Sequence, residues 1–489
     1  MPYRESYEIQ PSRFMQPTRT LLFLISVFLI LGVVALLFPE QGIRLSDNFS
    51  LRFFTLRTLI GIDEIDTPEF ASVSAAPLPQ TSIAIANRTK YHIDLNDSSR
   101  LIYPNDDKSV LYPLFEELTR ALQASRPIRI LHYGDSQIEE DRITSTIRRE
   151  LQRHFGGAGV GLVSAKPLTH SLSISHSWSD NWQRYAVFGD SSKPTHNRFG
   201  IMGAYCNYQD AQASLSFQRK KSAATALNIT RVSVLYGSAK SSVKVSLSGR
   251  TFHGEKTLQR GKRFGKVEWE LSHAEEPLRL KFTGISPDIY AITLDGKNGV
   301  AVDNIPIRGS SGVEFIKIDS ALFAESIKAM RVKAVIFQFG GNAVPHIKSQ
   351  QDLEWYETQL IKQFRLFKSL GLHLIVIGPS DMSTKLKEKF VTYAYLPDVR
   401  DMMLRTTHYF GGVYWDMYAA MGGRNSMPKW VKQKLAIEDY THFTREGAEK
   451  IAQMFISSFM KDYREYQHAT QQKSHSTDAK TAHSVPSLR

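Results

Sequence analysis

Gly134-Asp135-Ser136 follows directly on the apolar run Ile128-Arg129-Ile130-Leu131-His132-Tyr133, and Asp439-Tyr440-Thr441-His442 places a carboxylate three residues before an imidazole. Between them, Gly340-Gly341-Asn342 follows a second strand-like run, Ala334-Val335-Ile336-Phe337-Gln338-Phe339. A serine hydroxyl is a poor nucleophile at neutral pH until a base takes its proton. His442 can be that base. Asp439, turning back within one loop, can bond the other ring nitrogen, fix the tautomer and stabilise the imidazolium. The Asn342 amide can aim an N–H at an oxygen that becomes negative in a tetrahedral intermediate, and losing such a donor typically costs ~2.7–4 kcal/mol. Gly309, in Ile307-Arg308-Gly309-Ser310-Ser311-Gly312, can add a backbone N–H. Taken singly, each motif also fits a plain turn or a surface Asp–His contact. Taken in order, they supply a nucleophile, an oxyanion hole and a base with its orienting acid, the equipment of a serine hydrolase acting on esters.

The elements around these residues are those that such chemistry needs. Ile128 to Tyr133 reads as a buried parallel strand. Ile138, Ile143, Ile147 and Leu151 then recur on one helical face, which predicts a helix opening at Ser136, with backbone N–H donors and a partial positive charge beside the hydroxyl. An earlier helix is expected near Leu111 to Ser125, on the spacing of Leu111, Leu114, Phe115, Leu118 and Leu122. From about Lys166 to Val300 the period changes to two. Val232 and Val234, then Val243, Val245 and Leu247, then Leu278, Leu280 and Phe282 alternate with polar residues between glycines, which reads as an antiparallel β domain. After Val300 strand and helix alternate again, with strands at Ala334 to Phe339, Leu372 to Gly378 and Gly411 to Trp415. A last helix follows His442, with Ala448, Ile451, Ala452, Phe455 and Phe459 on one face. The expected organisation is an α/β hydrolase domain in two parts, 105–165 and 301–465, interrupted by a β domain at 166–300.

Residues 20–38 carry no charge and are almost wholly apolar. Nineteen residues at ~1.5 Å rise span roughly 28 Å, about the hydrocarbon thickness of a bilayer. Arg13 and Arg19 precede the run, so the expectation is a cytoplasmic segment 1–19, a transmembrane anchor at 20–38, a juxtamembrane linker at 39–104 and an exported remainder. A cleaved signal peptide is the rival reading, with no clear Ala-x-Ala site to support it. The polar segment 466–489 is expected to be disordered. A single cysteine, Cys206, excludes an intrachain disulfide and a cysteine zinc cluster. The net charge of +13 is spread along the chain, without a zinc-finger spacing or an RNP-like motif. It reads as a generally basic surface or, functionally, as attraction to an anionic surface or wall polymer rather than to nucleic acid.

In order, Ser136, Gly309, Asn342 and His442 with Asp439 resemble the SGNH (GDSL-type) hydrolase superfamily. That resemblance implies a flavodoxin-like parallel sheet, no metal or other cofactor, and hydrolysis or transfer of an ester acyl group. It makes Ser136 the nucleophile, the N–H groups of Ser136 and Gly309 with the Asn342 amide the oxyanion hole, His442 base then acid, and Asp439 its orienter. Two features depart from the family pattern. Gly309 lies far beyond Ser136, which the β insertion explains, and Ala343 stands where an aspartate often follows the asparagine. An SGNH domain split by a β-sandwich between the serine and glycine sites looks like peptidoglycan O-acetylesterases of the Ape type, whose insertion resembles a carbohydrate-binding module. Segments 302–309 and 415–423 read like that group. Asp416 could support the site or cap a turn. Trp178, Trp182 or Tyr205 could stack on sugars or fill a core.

The expectation is thus a single-pass inner-membrane protein with its catalytic domain in the periplasm, removing O-acetyl groups from a cell-wall glycan. Alternatives are an O-acetyltransferase with the same triad, a lipid esterase, or a non-catalytic glycan-binding scaffold.

Overall fold

The computed structural model of the 489-residue chain describes residues 21–23, 25–27, 43–46, 49–51, 100–189, 192–220 and 228–482. Met1–Ala84 forms one unit and Ile85–Arg489 another. In the first, residues 21–23 and 25–27 are helical, and Ile43–Ser46 pairs antiparallel with Phe49–Leu51. Most of the apolar run 20–38 lies outside the described residues. Among the described residues no helix is long and apolar enough to cross a membrane, so the anchor is not shown.

The second unit is built on a sheet of five parallel strands, β1 (Ile128–Gly134), β2 (Val300–Pro306), β3 (Val332–Gln338), β4 (His373–Ile377) and β5 (Val413–Trp415), with Leu101–Ile102 added antiparallel at the β5 edge. The parallel strands lie in the order 2-1-3-4-5, the doubly wound flavodoxin arrangement. Period-two side-chain alternation divides the strands between two cores. Ile130, Ala334, Ile336 and Ile375 face α1 (Tyr112–Thr119), α2 (Thr144–Phe155) and the last helix. Leu131, Val335, Phe337 and Leu374 face α3 (Ser320–Ala329), α4 (Gln350–Ser369) and α5 (Leu396–Tyr409). Burial on both faces is why these strands read as continuous apolar runs.

Two antiparallel sheets are inserted between α2 and β2. One contains Trp182–Ala186, Ala204–Tyr208, Arg231–Gly237, Gly265–Glu270 and Asp288–Asp295. The other contains Ile174–Trp178, Gln212–Arg219, Val243–Ser248, His253–Leu258 and Leu278–Thr283. Val232, Val234 and Ile292 of the first and Val245, Leu247 and Phe282 of the second share one core. Gly159–Val163, placed by sequence in the hydrolase domain, pairs with Asp288–Asp295 and so extends an insert sheet. The insert is also fused to the core of the parallel-sheet domain. Phe199, Ile201, Tyr205 and Tyr290 pack in one cluster with Tyr133, Ile305 and Phe315. The Tyr133 hydroxyl donates to the Ile201 carbonyl at 2.5 Å, and Arg129 of β1 bonds Asp295 at 2.6 Å and Asp303 at 2.5 Å.

Two further expectations change. The helix predicted to open at Ser136 is instead a 3-10 segment, Ser136–Asp141, broken by extended or left-handed backbone at Glu139 and Glu140, with α2 starting at Thr144. Buried ion pairs hold the break: Arg148 chelates Asp141 through both terminal nitrogens. The tail expected to be disordered from 466 continues as helix α6 (Arg445–Ala482), with residues 483–489 outside the described ones. Of the two roles open to the insert's aromatics, Trp182 and Tyr205 take the core-filling one, buried in the cores, and Trp178 packs partly buried against the insert core.

Candidate active site

The site lies at the carboxyl ends of the central strands, where a doubly wound sheet leaves a crevice. β1 ends at Gly134, whose α-carbon faces the Gln338 carbonyl so closely that an added Cβ would sit 3.0 Å from it. Asp135 caps the following turn, its Oδ1 accepting from Gln137 N at 2.9 Å. That leaves Ser136 as the first residue of the 3-10 segment, half-buried at the mouth of the crevice.

Ser136 Oγ is 2.8 Å from His442 Nε2, and His442 Nδ1 is 2.6 Å from Asp439 Oδ2. The loop that carries His442 is an Asx turn: Asp439 Oδ1 accepts from Thr441 N and His442 N, both at 2.9 Å. Tyr440 adopts a left-handed φ of 57° to close it. Burial pushes the Asp439 carboxyl up, but hydrogen bonds from the His442 backbone and ring and from Thr441 N outweigh it, and the net direction is below the ordinary value. The carboxylate is therefore ionised at neutral pH. The loop is braced from outside by the hairpin Ser383–Leu386 and Lys389–Thr392. Ser383 N donates to the Tyr440 carbonyl at 3.0 Å, and the Phe390 ring stacks on Tyr440 at 3.6 Å between centroids.

Asn342, two residues past Gly340, is drawn to the same place. Its Nδ2 donates to Asp135 Oδ2 and to the Ser310 carbonyl, both at 3.1 Å. It thus ties the Ser136 turn to the Gly309 loop. Both amide protons are engaged, so presenting one to an oxyanion requires exchange of one of these partners. Burial raises the Asp135 carboxyl to about 6, against the lowering effect of the Gln137 N–H.

Gly309 is exposed with φ 74°, a conformation that glycine adopts without strain. Its loop is anchored by Arg308, which donates to both oxygens of Glu139 at 2.6 and 2.8 Å. Asp416 takes the capping role: Oδ1 accepts from Ala419 N and Oδ2 from Arg400 Nη1, each at 2.9 Å.

A cleft of about 120 Å³ opens beside the serine, lined by Ser136, Asn342, His346, Pro379, Met382 and His442 among others. His346 and the 379–382 segment carry no local motif, and only the fold brings them to the serine. Gln137 and Arg142 were likewise not singled out from sequence, although both bond the base loop. The signal available was their place in the nucleophile's own turn. Beneath the site, His132 is buried and held near 3 by burial, hence neutral, and lies 3.0 Å from Gln338 Oε1 and 2.9 Å from Thr144 Oγ1. Among the described residues no group of three or more His, Cys, Asp or Glu side chains is gathered as a metal site.

No family model matches the chain, and no curated protein matches it. Solved structures do. A peptidoglycan O-acetylesterase structure aligns at a TM-score of 0.60 and 20% identity, covering 75% of this chain and 99% of its own. The acetylxylan esterase Axe2 from Geobacillus stearothermophilus aligns at a TM-score of 0.26 and 18% identity, over 34% of this chain and 73% of its own, too low to establish a shared fold. The first of these shares its fold with the present chain, as the resemblance of the sequence motifs led one to expect.

Proposed function

We propose that the protein is a serine carbohydrate esterase that removes O-acetyl groups from a cell-wall glycan, peptidoglycan being the first candidate. The observation that carries this reading is the relay Ser136 Oγ–His442 Nε2–Nδ1–Asp439 Oδ2, in which a 2.8 Å contact joins Ser136 to a histidine 306 residues away and a 2.6 Å contact joins that histidine to its neighbouring aspartate. The fold shared with a peptidoglycan O-acetylesterase supports the substrate class.

In this mechanism His442 Nε2 takes the Ser136 proton as Oγ attacks the acetyl carbonyl. The negative oxygen is received by backbone N–H groups of Ser136 and Gly309 and by the Asn342 amide, which gives up its bond to Asp135 or to the Ser310 carbonyl to do so. His442 then passes its proton to the departing sugar oxygen, leaving acetyl-serine. Water, deprotonated by His442, attacks the acyl carbon and releases acetate, returning the proton to Oγ. The His442 and Asp439 side chains are 33% and 41% exposed, so water reaches the acyl-serine, which favours hydrolysis over transfer to a second sugar. We place this unit outside the cytoplasmic membrane on the strength of the apolar run 20–38 and its preceding arginines. Protease accessibility in spheroplasts checks that placement, and full protection would refute it.

The decisive experiment is acetate release from O-acetylated peptidoglycan by the wild type and by Ser136→Ala. The expected result is release that the substitution abolishes. A folded wild type that releases no acetate from the glycan or from an aryl acetate would overturn the esterase reading.

A further inference from the structure

The base of this relay is gripped on both sides by the nucleophile's own turn. Gln137 Nε2 donates to the Thr441 carbonyl at 2.7 Å, and Phe443 N donates to Gln137 Oε1 at 3.4 Å. Arg142 completes the grip, with Nη2 donating to the Ser136 carbonyl at 2.6 Å, Nη1 to the Phe443 carbonyl at 3.2 Å and Nε to the Glu139 carbonyl at 3.2 Å. The residues before and after His442 are therefore tied to the residue after Ser136, and Phe443 is tied to Ser136 itself through one rigid guanidinium. Gln137 is buried, so its amide meets little competition from water. The Asp439–His442 contact is open to solvent by comparison, where an ion pair is screened and weakly orienting.

We infer that Gln137 and Arg142 are positioning residues that set the Ser136–His442 geometry, acting on the base through its backbone rather than through its ring. The arrangement makes chemical sense. The break at Glu139 and Glu140 turns the chain so that Arg142 points back at the Ser136 carbonyl. The Gln137 side chain pairs with the 441–443 backbone as a neighbouring strand would, one donor and one acceptor straddling the histidine. Any displacement of the base loop relative to the serine must break at least one of these bonds. The inference rests on the serine–histidine reading above.

The test uses Gln137→Met, which keeps length and apolar bulk but removes both bonds, and Arg142→Met, which removes the carbonyl contacts from a half-buried site. On an aryl acetate, kcat is expected to fall roughly 10–100-fold with KM within about twofold, the scale of a misplacement on the order of 1 Å. The His442 ring signal in a ¹H–¹³C spectrum should shift or broaden while the rest of the spectrum stays native. Gln137→Glu, isosteric but presenting an oxygen to the Thr441 carbonyl, should be no better than Gln137→Met. A purely space-filling role predicts instead that both are tolerated. Folded variants within about threefold of wild-type kcat, with an unmoved His442 signal, would overturn the inference. If Gln137→Met does not fold, Arg142→Met decides by the same two readouts. If the wild type turns over no ester, a moved His442 signal keeps the positioning role and removes the esterase reading, whereas an unmoved one removes both.

Discussion

Replacing Asp439 with asparagine should harm this site more than replacing it with alanine. In the Asx turn, Oδ1 accepts two backbone N–H groups at 2.9 Å, while Oδ2 faces His442 Nδ1 at 2.6 Å. An asparagine must keep its carbonyl at the Oδ1 position, since reversing the amide would set its NH₂ against two donors. Giving up two hydrogen bonds at ~0.5–1.5 kcal/mol each disfavours the reversed amide by about 2 kcal/mol, or about 30-fold. The amide N–H therefore points at Nδ1 and makes it an acceptor. His442 must then carry its proton on Nε2, the tautomer that cannot accept from Ser136. Alanine imposes no tautomer. It loses the two turn bonds, whose loop Gln137, Arg142 and Ser383 still hold, and the contact with the ring, which for a pair this exposed is worth at most about 1 kcal/mol, roughly fivefold. Allowing about twofold for the unselected tautomer, Asp439→Ala should lower kcat about tenfold. Asp439→Asn should lower it about 150-fold, the product of the orientation and charge factors. Steady-state kinetics on an aryl acetate, with both variants shown to be folded, measures the ratio. An asparagine variant as fast as the alanine variant would show that the backbone N–H groups do not pin the amide, and the argument would fail.

Two other consequences can be tested on the same proteins. Asn342→Ala should reduce kcat by roughly 10²–10³ through loss of an oxyanion donor, and an unchanged kcat would place the oxyanion elsewhere. Asp135 is raised from 3.8 to about 6 by burial. Its folded value lies above its unfolded one, so the folded state holds the proton more tightly, and this group's contribution to stability declines as pH rises from about 4 to about 6. The decline amounts to ~3 kcal/mol at most. Guanidinium unfolding at several pH values should show Asp135→Asn gaining on the wild type across that window and levelling off above it; parallel profiles would contradict the raised value.

Much of the local structure was legible because it depends on short-range pattern. Four of the five parallel strands lie where the apolar runs indicated, Val300–Pro306 being the one not read as a strand, and Val232, Val243 and Leu280 fall on buried faces of the insert. Burial on one or both faces of a sheet leaves a period that sequence displays directly. What failed locally was the helix at Ser136. Its apolar spacing is genuine, with Ile138, Ile143, Ile147 and Leu151 all buried. Yet Asp141 pairs with Arg148, Glu139 pairs with Arg308, and these contacts favour a broken turn over a continuous helix. Which of its two roles each aromatic of the insert takes was undecided by sequence for a similar reason. Tyr205 is consumed in joining two domains, a packing partner that no window of sequence contains.

By itself the sequence determined the residue types for an acyl-serine reaction, their order along the chain, and the strand ends that carry Ser136 and Asn342. Local hydrophobic period and short turn motifs are properties of neighbours in the chain, so they can be read there. The tertiary structure alone decided that Ser136 meets His442, that Asn342 spends both amide protons between Asp135 and Ser310, and that Gln137 reaches a carbonyl 304 residues away. Those contacts depend on hydrogen-bond geometry across strands brought together by the burial of two separate cores. Chain separation carries no information about them until the sheet is assembled.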